Sequence, residues 1–252
     1  MVEAIVTVAI LVTAAQARAA PAQAACPPLS DAEPATESLP HLAAALKPGG
    51  TVEILAIGTT GPAAGLAPLV AGTSNSGFVP LLSHDLEAAS PGVHVSITAR
   101  GGRGVDAAAQ LELIRSALKQ HRYTAVLWQT GTFDAVRSEP VEAFYQSLTD
   151  GADVIGQAGA DLILVEPQYS RFLEANADLA PYLSAMQAMD AAEATLLFHR
   201  YELMHDWADA GQIDLEHATS HDRPAIAAQL HACLAAELAR AVLESAHAEA
   251  LR

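Results

Sequence analysis

Four short apolar runs constrain the fold most: Val52–Ile57, Val93–Thr98, Thr124–Gln129 and Asp161–Glu166. They are short apolar or β-branched runs, and read as strands of a sheet covered on both faces. Each is followed by a segment with helical spacing. Between the second and third runs, Ala107, Leu111, Ile114 and Leu118 fall on one helix face, and near the C-terminus Ile226, Leu230, Leu234 and Leu238 do the same. Leu196–Phe198 offers a short fifth strand. Alternating strands and helices with right-handed crossovers give a parallel sheet covered on both sides. The expected fold is therefore α/β, a three-layer α/β/α sandwich around a five-stranded parallel sheet of flavodoxin-like type. No internal repeat and no second domain is evident.

The 252 residues are 51% hydrophobic and 17% charged, enough apolar material for a folded core. A formal charge of −16 argues against nucleic acid and against anionic membrane surfaces, since both demand basic patches. Ala4 to Ala15 is an apolar run too short to span a bilayer comfortably. The small-x-small sites Ala17-Arg18-Ala19 and Ala22-Gln23-Ala24 follow it, so residues 1–24 read as an export signal, although Glu3 and no basic residue precedes the run. A secreted or periplasmic chain with no membrane span after processing is expected. Residues 25–48 read as an extended arm and first helix, and 49–252 as the domain. Cys26 and Cys233 can pair in an oxidising compartment and staple the arm to the last helix; a small buried hydrophobe is the alternative reading of Cys233.

Parallel sheets bind ligands at the carboxyl ends of their strands. The turns to read are Gly58–Gly65, Ala99–Asp106 and Thr130–Asp134, each containing glycine. Ile54-Leu55-Ala56-Ile57-Gly58-Thr59-Thr60-Gly61 is a buried strand entering a tight turn. Arg100-Gly101-Gly102-Arg103-Gly104-Val105-Asp106 follows the second strand. Val126-Leu127-Trp128-Gln129-Thr130-Gly131-Thr132-Phe133-Asp134 closes the third. Asp222 lies near the start of the last helix. In that order these segments resemble the four blocks of the SGNH (GDSL-like) hydrolase family, over roughly Val52 to Ala241. The third, similar to Gly-Thr-Asn-Asp, is the most specific.

The resemblance implies a serine nucleophile in the first block and a histidine base oriented by an aspartate in the fourth. It also implies an oxyanion hole made by the serine N–H, a second-block glycine N–H and a third-block asparagine. Carried onto this chain, Thr60 occupies the nucleophile position, with Thr59 beside it. Gly104 matches the oxyanion glycine, and Asp222 the orienting acid. Phe133 replaces the asparagine and Ala225 the histidine. Losing one oxyanion donor costs about 10²–10³ in rate. Losing nucleophile or base costs on the order of 10⁶, non-additively. Threonine keeps a hydroxyl, but its methyl restricts χ1.

His221, adjoining Asp222, is the first candidate for a substitute base, with His217 one helical turn before it and His231 farther along the last helix. His217 and His221 also have the i,i+4 spacing of a metal pair, but no third ligand is evident and no metal or other cofactor is expected. Tyr169, after the fourth strand, is a candidate pocket residue, and Trp128 reads as core. Asp134 is expected to cap its own turn. Arg100 and Arg103 are the strong cations expected at the rim. The leading expectation is a secreted SGNH-like protein related to ester hydrolases, catalytically impaired, retaining a pocket for a small-molecule ester or acylated glycan. The alternatives are an active esterase with a remodelled Thr60/His221 site, or a periplasmic protein-interaction module.

Overall fold

The computed structural model describes residues 26–27, 38–58, 77–101 and 104–248. Five parallel strands form one sheet: β1 (Thr51–Ile57), β2 (His94–Arg100), β3 (Ala125–Gln129), β4 (Asp161–Val165) and β5 (Thr195–Phe198), in the order β2-β1-β3-β4-β5. Their ends lie within two residues of the expected bounds. The register sets Ile57 beside both Arg100 and Trp128, and Val165 beside Phe198, so the carboxyl ends of all five strands reach one edge.

Alternate residues of β1 feed opposite layers. Ile54 and Ala56 point into one core with α2 (Phe78–Ala89) and α9 (Arg223–Ala248); Leu55 and Ile57 point into the other, with α3 (Ala107–Gln120), α5 (Val141–Gln157) and α7 (Ala180–Gln187). Trp128 is fully buried in the second core, as expected, and its Nε1 donates to Gln110 Oε1 at 2.7 Å. The ring lies so close to α5 that a Cβ on Gly151 would be 2.3 Å from it, which explains a glycine inside that helix.

The arm is fixed at the opposite, amino edge of the sheet. Cys26 and Cys233 form a disulfide with Cα atoms 5.3 Å apart, which resolves the two readings of Cys233 in favour of pairing. The short helix α1 (Pro40–Ala45) is held by Asp161, the fully buried first residue of β4. Its Oδ2 accepts from Leu42 N at 2.7 Å, and its Oδ1 lies 2.8 Å from His41 Nδ1. Leu39 N donates to Ser245 O, so the C-terminal end of α9 lies at this edge as well. A helix of 26 residues is about 39 Å long, so its first turn, at Arg223, projects to the carboxyl rim.

Candidate active site at the carboxyl rim of the sheet

Backbone at the rim is packed too closely for side chains. Gly58, φ +110°, donates to Arg100 O, and a Cβ there would lie 2.0 Å from Gln129 O. A Cβ on Gly101, φ +128°, would lie 2.7 Å from Gly58 O. Only glycine fits both positions. The first, second and third sequence blocks therefore meet at one point, immediately before Thr59 and Thr60. Those two threonines and Arg103 lie outside the described residues. The contact chain continues through Gly131, which packs against Pro167 after β4.

Gly104, φ +72°, faces the third block. A Cβ on it would lie 4.0 Å from Phe133 Cε1, so the phenyl ring stands beside the glycine where the resemblance implies an amide donor. The Gly104 carbonyl accepts from Arg137 Nη2 at 2.6 Å, Arg137 Nη1 lies 3.4 Å from Asp106 Oδ2, and the guanidinium sits 6.0 Å from the Phe133 ring centre. Arg137 is thus a rim cation that the sequence reading missed. Its signal was the i,i+4 spacing from Phe133 across α4 (Thr132–Arg137), which places both on one face. Asp134 is buried, and its Oδ1 accepts from Ala107 N at 3.0 Å, which ties the third block to the start of α3, while backbone N–H groups of its own turn, those of Gly131 and Asp134, also bond its carboxyl. Burial pushes that carboxyl above the usual range, against the pull of these backbone donors.

The loop entering α9 carries two histidine–carboxylate pairs. His221 Nδ1 lies 2.9 Å from Asp222 Oδ1, and Thr219 Oγ1 donates to Asp222 Oδ2 at 2.7 Å. Asp222 therefore does orient a histidine, but the His221 side chain is 94% exposed, and Ala225 is an exposed residue of the first helical turn. Eight residues upstream, Asp214-Leu215-Glu216-His217 repeats the Asp-x-x-His spacing, with the His217 side chain 73% exposed and Asp214 largely covered. His217 Nδ1 lies 2.7 Å from Asp214 Oδ2, and His217 N donates to Asp214 Oδ1 at 3.1 Å. Partial burial raises the Asp214 pKa, but hydrogen bonds from His217 and Arg171 outweigh it and hold the carboxyl below its usual range. This arrangement fixes one ring nitrogen and leaves Nε2 to act as a base. Sequence reasoning passed over it because Asp222 is the acid nearest the helix start. Residues 214–222 are not helical, so the i,i+4 argument for a His217/His221 metal pair fails. Among the described residues no cluster of three metal-ligating side chains occurs.

Two further groups follow β4 and β5. Tyr169 is only 7% exposed, packed edge-on against Tyr201 and His205 with the Arg171 guanidinium 5.9 Å from its ring centre. It is a packing residue. Tyr201 instead lines a groove of about 590 Å³, with Glu174, Asn176, Asp178, Leu179 and Leu183. Glu166, 1% exposed, accepts from Tyr201 N through Oε2, and its Oε1 lies 3.2 Å from His199 Nδ1. Next to them Arg200 is buried, and desolvation pulls its pKa down to about 9 against the attraction of Glu166.

The Glu166 hydrogen bond raises the His199 pKa above its ordinary 6.5, and burial opposes it only in part. The protonated ring therefore favours the fold. The contribution is complete below pH 6.5 and is lost as pH rises through the folded value. Half-buried His231 acts oppositely, because desolvation lowers its pKa and this costs stability as pH falls below 6.5. A thermal-melt series of wild type against His199→Asn is expected to show a difference that shrinks as pH rises above neutrality. A constant difference across pH would remove the linkage.

The five-stranded parallel sheet with flanking helices is the α/β fold of the SGNH hydrolases. The model of the Non-GDSL lipase-like family matches residues 25–248, and the chain belongs to that family. Solved structures share the architecture. TesA is 21% identical with a TM-score of 0.51, over 77% of this chain and 97% of that one. A catalytic mutant of Axe2, an acetylxylan esterase from Geobacillus stearothermophilus, is 13% identical with a TM-score of 0.53, over 79% and 95%. A mutant of the esterase AlinE4 is 17% identical with a TM-score of 0.51, over 69% and 87%. No curated protein sequence matches the chain.

Proposed function

We propose that this protein is an exported carboxylic-ester hydrolase of reduced turnover, acting on a small acyl or acetyl ester, acylated glycans included. The observation that carries the reading is the Asp214–His217 pair: a base with its orienting acid on the loop before the last helix, at the spacing the fold uses. In this scheme Thr60 Oγ bonds to the acyl carbon as its proton passes to His217 Nε2. The tetrahedral oxyanion rests on backbone N–H groups, and the alcohol leaves with that proton. Water then releases the acid by the reverse transfers. Two features slow it: the threonine methyl at the nucleophile and the Phe133 ring in place of an oxyanion donor. The disulfide supports an oxidising compartment.

The test is hydrolysis of short-chain acyl esters by purified protein. Slow turnover is expected, abolished by Thr60→Ala and raised about 10²-fold by Phe133→Asn, the worth of one oxyanion donor. Turnover unaffected by Thr60→Ala would sink the reading. A binder without turnover is the second reading, favoured by the Phe133 ring against Gly104. An ester or its acid that raises the melting temperature while no product forms, even in Phe133→Asn, would select it.

A further inference from the structure

We propose that Arg171 and Glu216 are positioning residues, a two-part clamp that holds the Asp214–His217 turn against the helix start that follows the fourth strand; the catalytic consequence rests on the ester-hydrolase reading, the clamp itself does not. Arg171 is the first residue of α6 (Arg171–Asn176), a few residues beyond the end of β4. Its Nη1 lies 3.2 Å from both carboxylate oxygens of Asp214 and 3.6 Å from Glu216 Oε2. Its Nη2 lies 3.7 Å from Asp209, and its guanidinium stands over the Tyr169 ring. Glu216 engages the same helix start from the loop side. Its Oε1 accepts from Ser170 Oγ and its Oε2 from Arg171 N, each at 2.9 Å. Glu216 N in turn donates to Asp214 Oδ1 at 3.1 Å, which closes the circuit.

One cation thus serves three carboxylates carried by α8 (Arg200–Asp209) and the following loop. Lone exposed ion pairs contribute little, but a shared hub with backbone bonds at both ends is a network, and removing its cation leaves like charges facing one another. The charged and titratable groups around it are Tyr201, His205 and Asp209 from α8, Asp214, Glu216 and His217 from the loop, and Tyr169 and Glu174 from the segment after β4. Asp214 uses one carboxylate for both Arg171 and His217, so the arginine sets the angle at which the histidine ring is presented.

The experiment is amide hydrogen exchange across residues 211–222 together with steady-state ester kinetics, on wild type, Arg171→Gln, Glu216→Ala and His217→Ala. Arg171→Gln and Glu216→Ala are expected to speed exchange in that loop at least about tenfold, with protection in β3 and β4 unchanged. They are expected to lower kcat about tenfold with little change in KM. His217→Ala is expected to abolish turnover while the loop stays protected. Unchanged loop exchange in both clamp variants overturns the clamp. Faster exchange with undiminished kcat, while His217→Ala is inactive, overturns the positioning role. Faster exchange with turnover indifferent to His217→Ala leaves the clamp standing and overturns the catalytic reading.

Discussion

Replacing both Cys26 and Cys233 by alanine is expected to lower stability by about 5 kcal/mol. The bond joins residues 207 positions apart, and the chain-entropy account of cross-links grows with the logarithm of that separation, to about 5 kcal/mol here. What the bond restrains also matters. It ties the arm to the middle of α9, where Cys233 is fully buried among Leu230, Leu234 and Leu238. Leu39 and Leu42 complete the same core, and Asp161 anchors α1 by its first backbone N–H groups. Alanine is the right replacement, since serine would bury an additional hydroxyl. Equilibrium denaturation of wild type and double variant checks the value. A difference below about 1 kcal/mol would mean that Asp161 and the two leucines hold the arm without the covalent link.

How much of this was legible beforehand follows from the range of each interaction. Apolar and β-branched runs announce themselves locally, so all five strands were found, even the four-residue β5. The glycine turns were legible for the same reason: Gly58 and Gly101 carry a backbone constraint that no other residue satisfies. Features made by distant partners were not. Asp161 looks like an ordinary strand start until α1 arrives from 119 residues away. Arg171 gives no sign in the sequence that its partners are Asp209, Asp214 and Glu216. The rim site fell between these cases. Block order set Gly104 and Phe133 at one rim, and a Cβ on Gly104 would lie 4.0 Å from Phe133 Cε1. The fourth block was read at Asp222 because helix starts are easy to see. The turn that pairs Asp214 with His217 is irregular backbone, which has no period to detect.

That difference has a kinetic consequence, and three variants separate the two loci. His217→Ala is expected to lower kcat/KM by at least about 10³-fold, within the range for removing a general base. Asp214→Asn should cost up to about 10⁴-fold, because an amide favours the wrong imidazole tautomer while leaving the shape intact. Asp214 is suited to the role: its lowered pKa keeps it ionised throughout the neutral range. His221→Ala is expected to change turnover less than about threefold, because its ring is almost wholly in solvent and its bond to Asp222 joins neighbouring residues on the surface. Restoring Ala225→His should not rescue His217→Ala. Position 225 is exposed on α9, and both carboxylate oxygens of Asp222 are already engaged, by Thr219 and His221. If Ala225→His does rescue, or if His221→Ala is the inactive variant, the base belongs at the helix start, and the Asp214–His217 pair is only part of the ion network that seats the loop.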